Sequence, residues 1–310
     1  YDTYMMAPKG TFFNQNLYPY IEAFLHRIFR IFEPDVTLMQ TCFLTPIFLS
    51  SIGIIVAFLI GKKLAGDIGG LFASIIITVH PNVLSRSLGS DNDIVNIVFP
   101  LIILGFFIWS ITSKDKKKEY IFAALAGFFC GFYRFAWSGW WHVFYFLVGS
   151  LIAYIGYNFV YNLIHKKGSN IFTRKIKDGI AILIIFVVVT SFTLVVFGFQ
   201  KELTGLWKKP IKIATTFKEA SKGEALWPNV YTTVAELNAA TLGQTINGVG
   251  NKILFTLALM GIISTLIDFK KQKTINIIFL IGSLIWFSVF FFFFKMNIIT
   301  FLIILFLSIC

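Results

Sequence analysis

The stretch LMQTCFLTPIFLSSIGIIVAFLI, residues 38–60, carries no charge and is apolar on every side of a helix, and the polar break GKKLAG, residues 61–66, follows it directly. At about 1.5 Å of rise per residue, such a helix crosses a hydrocarbon layer roughly 30 Å thick. A strand in a lipid-facing barrel would alternate apolar and polar positions with period two, and this run does not. Comparable runs lie at 68–84, 94–111, 120–137, 141–164, 180–199, 253–267, 275–294 and 298–309. Continuous helices satisfy their own backbone groups in lipid, so the expectation is an all-α polytopic membrane protein with about nine spans.

Composition leads to the same class. Of 310 residues 57% are apolar and 14% charged, Phe alone supplies 37, and mean hydropathy is +0.78. A soluble domain is nearer 45–50% apolar and 25% charged, so this chain has too little polar surface to cover a water-soluble core. The net charge of +12 does not imply nucleic acid, because the basic residues sit in short breaks between apolar runs. That is the distribution of cytoplasmic loops beside anionic lipid. Cys42 and Cys130 fall inside apolar runs and Cys310 is terminal, so neither a disulfide framework nor a structural zinc site is expected. The first twenty residues lack a starting Met and a signal-peptide pattern, and the chain stops inside an apolar run; both ends read as the interior of something longer.

The breaks alternate in character. Those at 61–66, 113–119, 165–177 and 268–273 hold just over half of the 27 Lys and Arg residues. The intervening set holds most of the 15 acids: residues 1–37, HPNVLSRSLGSDND (80–93), WSGWW (137–141), the long loop 200–251, and Lys295. Positive-inside bias puts the first set in the cytoplasm and the second outside. The expected organisation is a partial outer loop at 1–37, membrane helices over 38–199, a long outer loop at 200–251, and further helices over 252–310. Within the first segment YPYIEAFLHRIFRIF, residues 18–32, suits an interfacial helix, with a bundle-packing helix as the alternative.

Three groups of residues invite a functional role. Asp91 and Asp93 flank Asn92 directly before an apolar span; they suit first a helix cap or solvated turn, and second a pair of hard oxygen ligands for Mg²⁺ or Mn²⁺. Glu236, in VYTTVAELNAATLGQTINGVGN (230–251), is either an exposed acid on a surface helix or part of a binding loop. Trp137, Trp140 and Trp141 suit anchoring at a membrane boundary, or stacking on a sugar.

Taken together, these stretches resemble a known family. SRSLGSDNDIVNIVFPL (85–101) is similar to the second acidic motif of the oligosaccharyltransferase catalytic subunit, Thr233-Val234-Ala235-Glu236 is similar to its T/S-I/V-x-E motif, and LAGFFCGFYRFAWSGWWHV (125–143) looks like the Gly/Trp-rich segment between them. The likeness covers essentially the whole chain and is strongest to the archaeal single-subunit enzymes. It implies a GT-C-type transmembrane bundle that transfers an oligosaccharide from a polyprenyl (dolichyl) phosphate or diphosphate to asparagine in N-x-S/T, with inversion, on the outer membrane face. It further implies Asp91, Asp93 and Glu236 as catalytic residues and ligands of Mg²⁺ or Mn²⁺. Thr233, Trp137 and Arg86 become substrate-binding residues. The partners implied are a lipid-linked oligosaccharide, an acceptor polypeptide and membrane lipids, without nucleic acid and without obligatory further subunits. The chain departs from the family in its first outer acidic motif, where only Asp2 stands, and in lacking a W-W-D-Y-G segment and a later lipid-phosphate-binding cation other than Lys295. Another polyprenyl-phosphate-sugar glycosyltransferase would keep the outer acids without the Thr233–Glu236 motif. A transporter would place ionisable residues mid-helix and show half-repeats, and neither is present here.

Overall fold

The computed structural model describes residues 16–90, 92–165, 172–206, 208 and 242–255. The chain divides into two compact units, Tyr1–Asn162 with Lys166–Leu203, and Leu163–His165 with Thr204–Cys310. In the second unit the described part includes the short helix Leu242–Gly248. Three of the expected spans begin at or after residue 253 and lie almost wholly outside the described residues. Among the described residues there is no strand.

The first unit begins with α1, Leu17–Phe32, capped by Asn16, whose side chain accepts from the Tyr18 amide. It buries Leu17, Tyr18 and Leu25 and leaves Phe24 and Phe32 exposed. Next comes α2, Leu38–Val79, opened by a capping box in which Thr37 and Gln40 satisfy each other's backbone N–H groups. A straight helix of its 42 residues would be about 63 Å long, twice what a bilayer accommodates. It is instead folded back on itself: Ala65 and Gly66 leave helical geometry, and Gly66 has φ 75°, a conformation natural to glycine. The two arms touch through Gly61 and Gly69. A Cβ on Gly61 would lie 2.5 Å from the Gly69 carbonyl oxygen, so the hairpin closes only because side chains are absent there. The expected second span, 68–84, is cut short for a local reason. His80 precedes proline and is extended at ψ 125°, and Pro81 starts a separate helix α3, Pro81–Ser87, capped by the His80 imidazole.

A 3-10 turn, Asn92–Ile94, leads into α4, Val95–Thr112. Then follow α5, Lys116–Ala136, α6, Trp141–His165, α7, Arg174–Val196, and α8, Gln200–Leu206. Four described helical stretches are long and apolar enough to span a membrane: Leu38–Val79, Asn92–Thr112, Trp141–Leu163 and Arg174–Val196. The more polar α5 is the central strut, packed along α4 and α7. Gly127 and Gly131 let α7 approach closely, and Thr190 Oγ donates to the Gly127 carbonyl at 3.1 Å. On the other side the rings of Phe99 and Tyr133 stack at 5.5 Å. Phe146, Ile184 and Phe192 stay exposed, the surface expected to face lipid.

Ser90 donates to Glu22 of α1, Tyr20 lies against Phe135, and Phe135 against Phe197, so α1, the turn before α4 and the ends of α5 and α7 meet. Lys116, from the Lys-rich break, pairs with Asp178 at the start of α7.

Candidate functional site

Asp93 is placed by its neighbours in sequence. Gly89, at φ 102°, turns the chain out of α3, and Ile94 and Val95, 0% and 1% exposed, anchor the start of the next helix in the core. Asp93 is thereby left at the rim, with its side chain 40% exposed. Arg86, in the last turn of α3, brings Nη1 to within 2.5 Å of Asp93 Oδ2. Asn96 donates from Nδ2 to Asp93 Oδ1 at 3.4 Å, a long bond, and its own Oδ1 accepts from the Tyr133 hydroxyl at 2.9 Å. One carboxylate is thus oriented by a cation on one side and by an amide and phenol on the other, while part of it remains open to solvent. Ile94 caps α4 without a side-chain bond, and the Ser90 hydroxyl donates to Glu22 at 3.2 Å.

Trp137 closes α5, its amide donating to the Tyr133 carbonyl at 2.9 Å, and its indole stands near the Tyr133 and His142 rings. A Cβ on Gly139 would fall 2.3 Å from that indole, so the Ser138-Gly139 turn accommodates the ring only because Gly139 lacks a side chain. Trp137 is 40% exposed, whereas Trp140 is 0% exposed and belongs to the core; the three tryptophans do not form one equivalent belt. Asp91, Thr233 and Glu236 lie outside the described residues. Among the described residues no group of three His, Cys, Asp or Glu side chains converges as a metal site.

The sequence reading missed Asn96, Tyr133, Arg134 and Glu202. Arg134 Nε lies 3.0 Å from Glu202 Oε1, and its guanidinium carbon 4.6 Å from the centre of the Phe199 ring. The available signal was that Arg134 is alone among apolar residues over 120–141, and a cation in that setting needs a partner.

This arrangement of helices is a GT-C-type transmembrane bundle. The structure overlays the crystal structure of the Archaeoglobus fulgidus oligosaccharyltransferase in complex with Zn and sulfate with a TM-score of 0.51, at 15% identity, covering 94% of this chain and 36% of that one. The chain belongs to the family "Oligosaccharyl transferase STT3, N-terminal", which it matches over residues 1–310. It is 28% identical over 297 residues to a dolichyl-phosphooligosaccharide-protein glycotransferase of Methanococcus voltae, covering 88% of this chain and 31% of that protein. Its likeness to the glycotransferase of Methanocaldococcus jannaschii is 27% over 237 residues, covering 72% of this chain and 24% of that protein. To the glycosyltransferase subunit STT3B of Oryza sativa subsp. japonica it is 25% over 151 residues, covering 48% of this chain and 20% of that protein. The chain therefore spans about a third or less of the length of these relatives. Apolar helices and family together make it a multi-pass membrane protein.

Proposed function

We propose that this chain forms the membrane part of an enzyme that transfers an oligosaccharide from a polyprenyl (dolichyl) phosphate or diphosphate to asparagine in N-x-S/T, with inversion, on the outer face. The observation that carries the reading is the Asp93 carboxylate, oriented by Arg86 and Asn96 yet 40% exposed, in a chain that matches the family along its whole length. Asp91, Asp93 and Glu236 would hold a divalent ion, Mg²⁺ or Mn²⁺, whose charge favours a leaving phosphate. Carboxylate oxygens are the hard donors such an ion prefers, and the Asp93 side chain is 40% exposed with Arg86 at one oxygen and Asn96 at the other.

The chain's own groups have separable tasks. The acceptor amide is a weak nucleophile because its lone pair is delocalised, and Glu236 would orient it by accepting its N–H. Arg86 orients the Asp93 carboxylate and would bring its guanidinium near the donor phosphate. Thr233 and Trp137 would line the acceptor and sugar. The isoprenoid stays among the apolar faces while its phosphate reaches the rim. The enzyme would act without obligatory further subunits. In the full-length protein, Glu236→Gln should lower transfer to an N-x-T peptide from a lipid-linked oligosaccharide about a hundredfold, roughly 2.7 kcal/mol, without loss of folding. Near-parental transfer by that variant would reject the assignment.

A further inference from the structure

We propose that the Lys-rich end of the first unit holds the headgroup of an anionic phospholipid, with its phosphate on Lys114, Arg174 and Lys175. Residues from two breaks far apart in sequence, 113–119 and 165–177, line one cavity of about 350 Å³ there. That volume is in the range of small-ligand sites. The length of α5 between Glu119 and Tyr133, about 21 Å, separates it from the Asp93 rim, and it does not depend on the reaction proposed above.

Charge at the cavity is unbalanced. Lys114, Lys116, Arg174 and Lys175 line it with only two acids, Glu119 and Asp178. Lys116 takes up both, at 2.7 Å from Glu119 Oε2 and in contact with Asp178 Oδ2. Arg174 Nε stands 3.8 Å from Asp178 Oδ2 and its side chain is 76% exposed, while Lys114 and Lys175 are exposed and make no ion pair among the described residues. Thr173 caps α7 without a side-chain bond, its hydroxyl instead accepting from Asn162 at 3.0 Å, and the first turn of α7 holds no acid. The positive end of that helix therefore adds to the field of Arg174 and Lys175.

Away from the cations the lining turns apolar, with Ile111 of α4, Leu151 of α6 and Ile182 of α7. Ile182 lies about 12 Å beyond Arg174 along α7, and both it and Leu151 are buried. A cationic mouth over an apolar floor matches a lipid, whose phosphate sits at headgroup level with its chains beneath; a soluble phosphate would leave the floor unused. Positive-inside bias places these breaks beside the anionic leaflet. Glu119 lines the wall with Oε1 buried and without a hydrogen-bond partner among the described residues, which calls for a donor such as a headgroup hydroxyl.

The test uses the full-length protein, stripped of lipid in a neutral detergent and titrated with phosphatidylglycerol in mixed micelles, with bound lipid counted by native mass spectrometry. The first phosphatidylglycerol should bind about tenfold or more tightly than phosphatidylcholine, whose headgroup has no net charge. Lys114→Gln with Lys175→Gln should weaken phosphatidylglycerol about thirtyfold, the effect of two cations beside an anionic headgroup, without moving the lipid-free unfolding midpoint. Lys117→Gln with Lys118→Gln removes equal charge from the same break but outside the cavity lining, and should stay within about threefold of the parent. Inorganic phosphate and glycerol 3-phosphate in large excess should not displace the lipid. Displacement by either would make a soluble phosphate the ligand and overturn the lipid assignment. Equal losses from the two lysine pairs would overturn the site, because surface charge alone would then hold the lipid, and so would equal retention of phosphatidylcholine.

Discussion

At the start of α5 the Glu119 carboxylate is 6% exposed and bonded to Lys116, which also pairs with Asp178 of α7; at its finish Tyr133 and Arg134 support a rim where the Asp93 carboxylate is 40% exposed. Both ends contain acids and cations in contact, yet they use them differently. Glu119 and Asp178 join two helices through one lysine, and the Ser110 hydroxyl donates to the Glu119 carbonyl, so the end is tied by short bonds. Glu119 Oε1 has no hydrogen-bond partner among the described residues, which is the desolvation cost of that tie. Asp93 is oriented by partners of its own and stays 40% exposed. Under the proposed function, the difference is that burial commits one carboxylate to stability while exposure leaves the other to chemistry.

The largest expected effect tests the frame both ends share. A Cβ on Gly131 would lie 2.8 Å from the Thr190 carbonyl oxygen. Gly131→Leu should therefore part α5 from α7 and cost about 3 kcal/mol, seen as a lower unfolding midpoint in detergent. An unchanged midpoint would mean that α5 is not the strut described here.

The comparison itself is tested by paired neutral substitutions in the full-length protein. Asp93→Asn should reduce transfer about a hundredfold, near 2.7 kcal/mol, and leave the midpoint almost unmoved. Glu119→Gln should do the reverse, lowering stability by about 2 kcal/mol with transfer per folded molecule intact. If the two variants exchange phenotypes, exposure is the wrong criterion and the comparison collapses.

The smallest effect is a matter of pH. Burial, the strongest influence on the Lys116 ammonium, lowers its pKa, but Asp178 and Glu119 outweigh it and the net value lies above the ordinary 10.5. A group raised on folding contributes fully below its unfolded pKa and loses that contribution as pH climbs through the folded one. The parental midpoint should thus carry the full contribution of this pair near neutrality, unvarying with pH there, and lose it above pH 10.5, by no more than about 1 kcal/mol given partial exposure. Lys116→Met should flatten that decline, and an equally steep profile in the variant would assign it elsewhere.

Helix type was legible because it depends on local composition: an uncharged run has few ways to satisfy its backbone in lipid except as a helix. The polar break at 61–66 separated two runs, and the structure answers with a hairpin whose closeness depends on Gly61 and Gly69. The stop at His80 was carried by Pro81 in the text, although hydropathy alone ran through it. Asp93 stood out from its spacing with Asp91 and its position before an apolar run. Its partners could not be read in the same way. Arg86 sits on another helix, Tyr133 reaches it only through Asn96, and Glu202 is distant in sequence from Arg134. Composition and periodicity determined which segments form long apolar helices. Which side chains face one another was decided by the rotation of α5 between α4 and α7, because a hydrogen bond between distant residues has no local signature and exists only once the helices have packed.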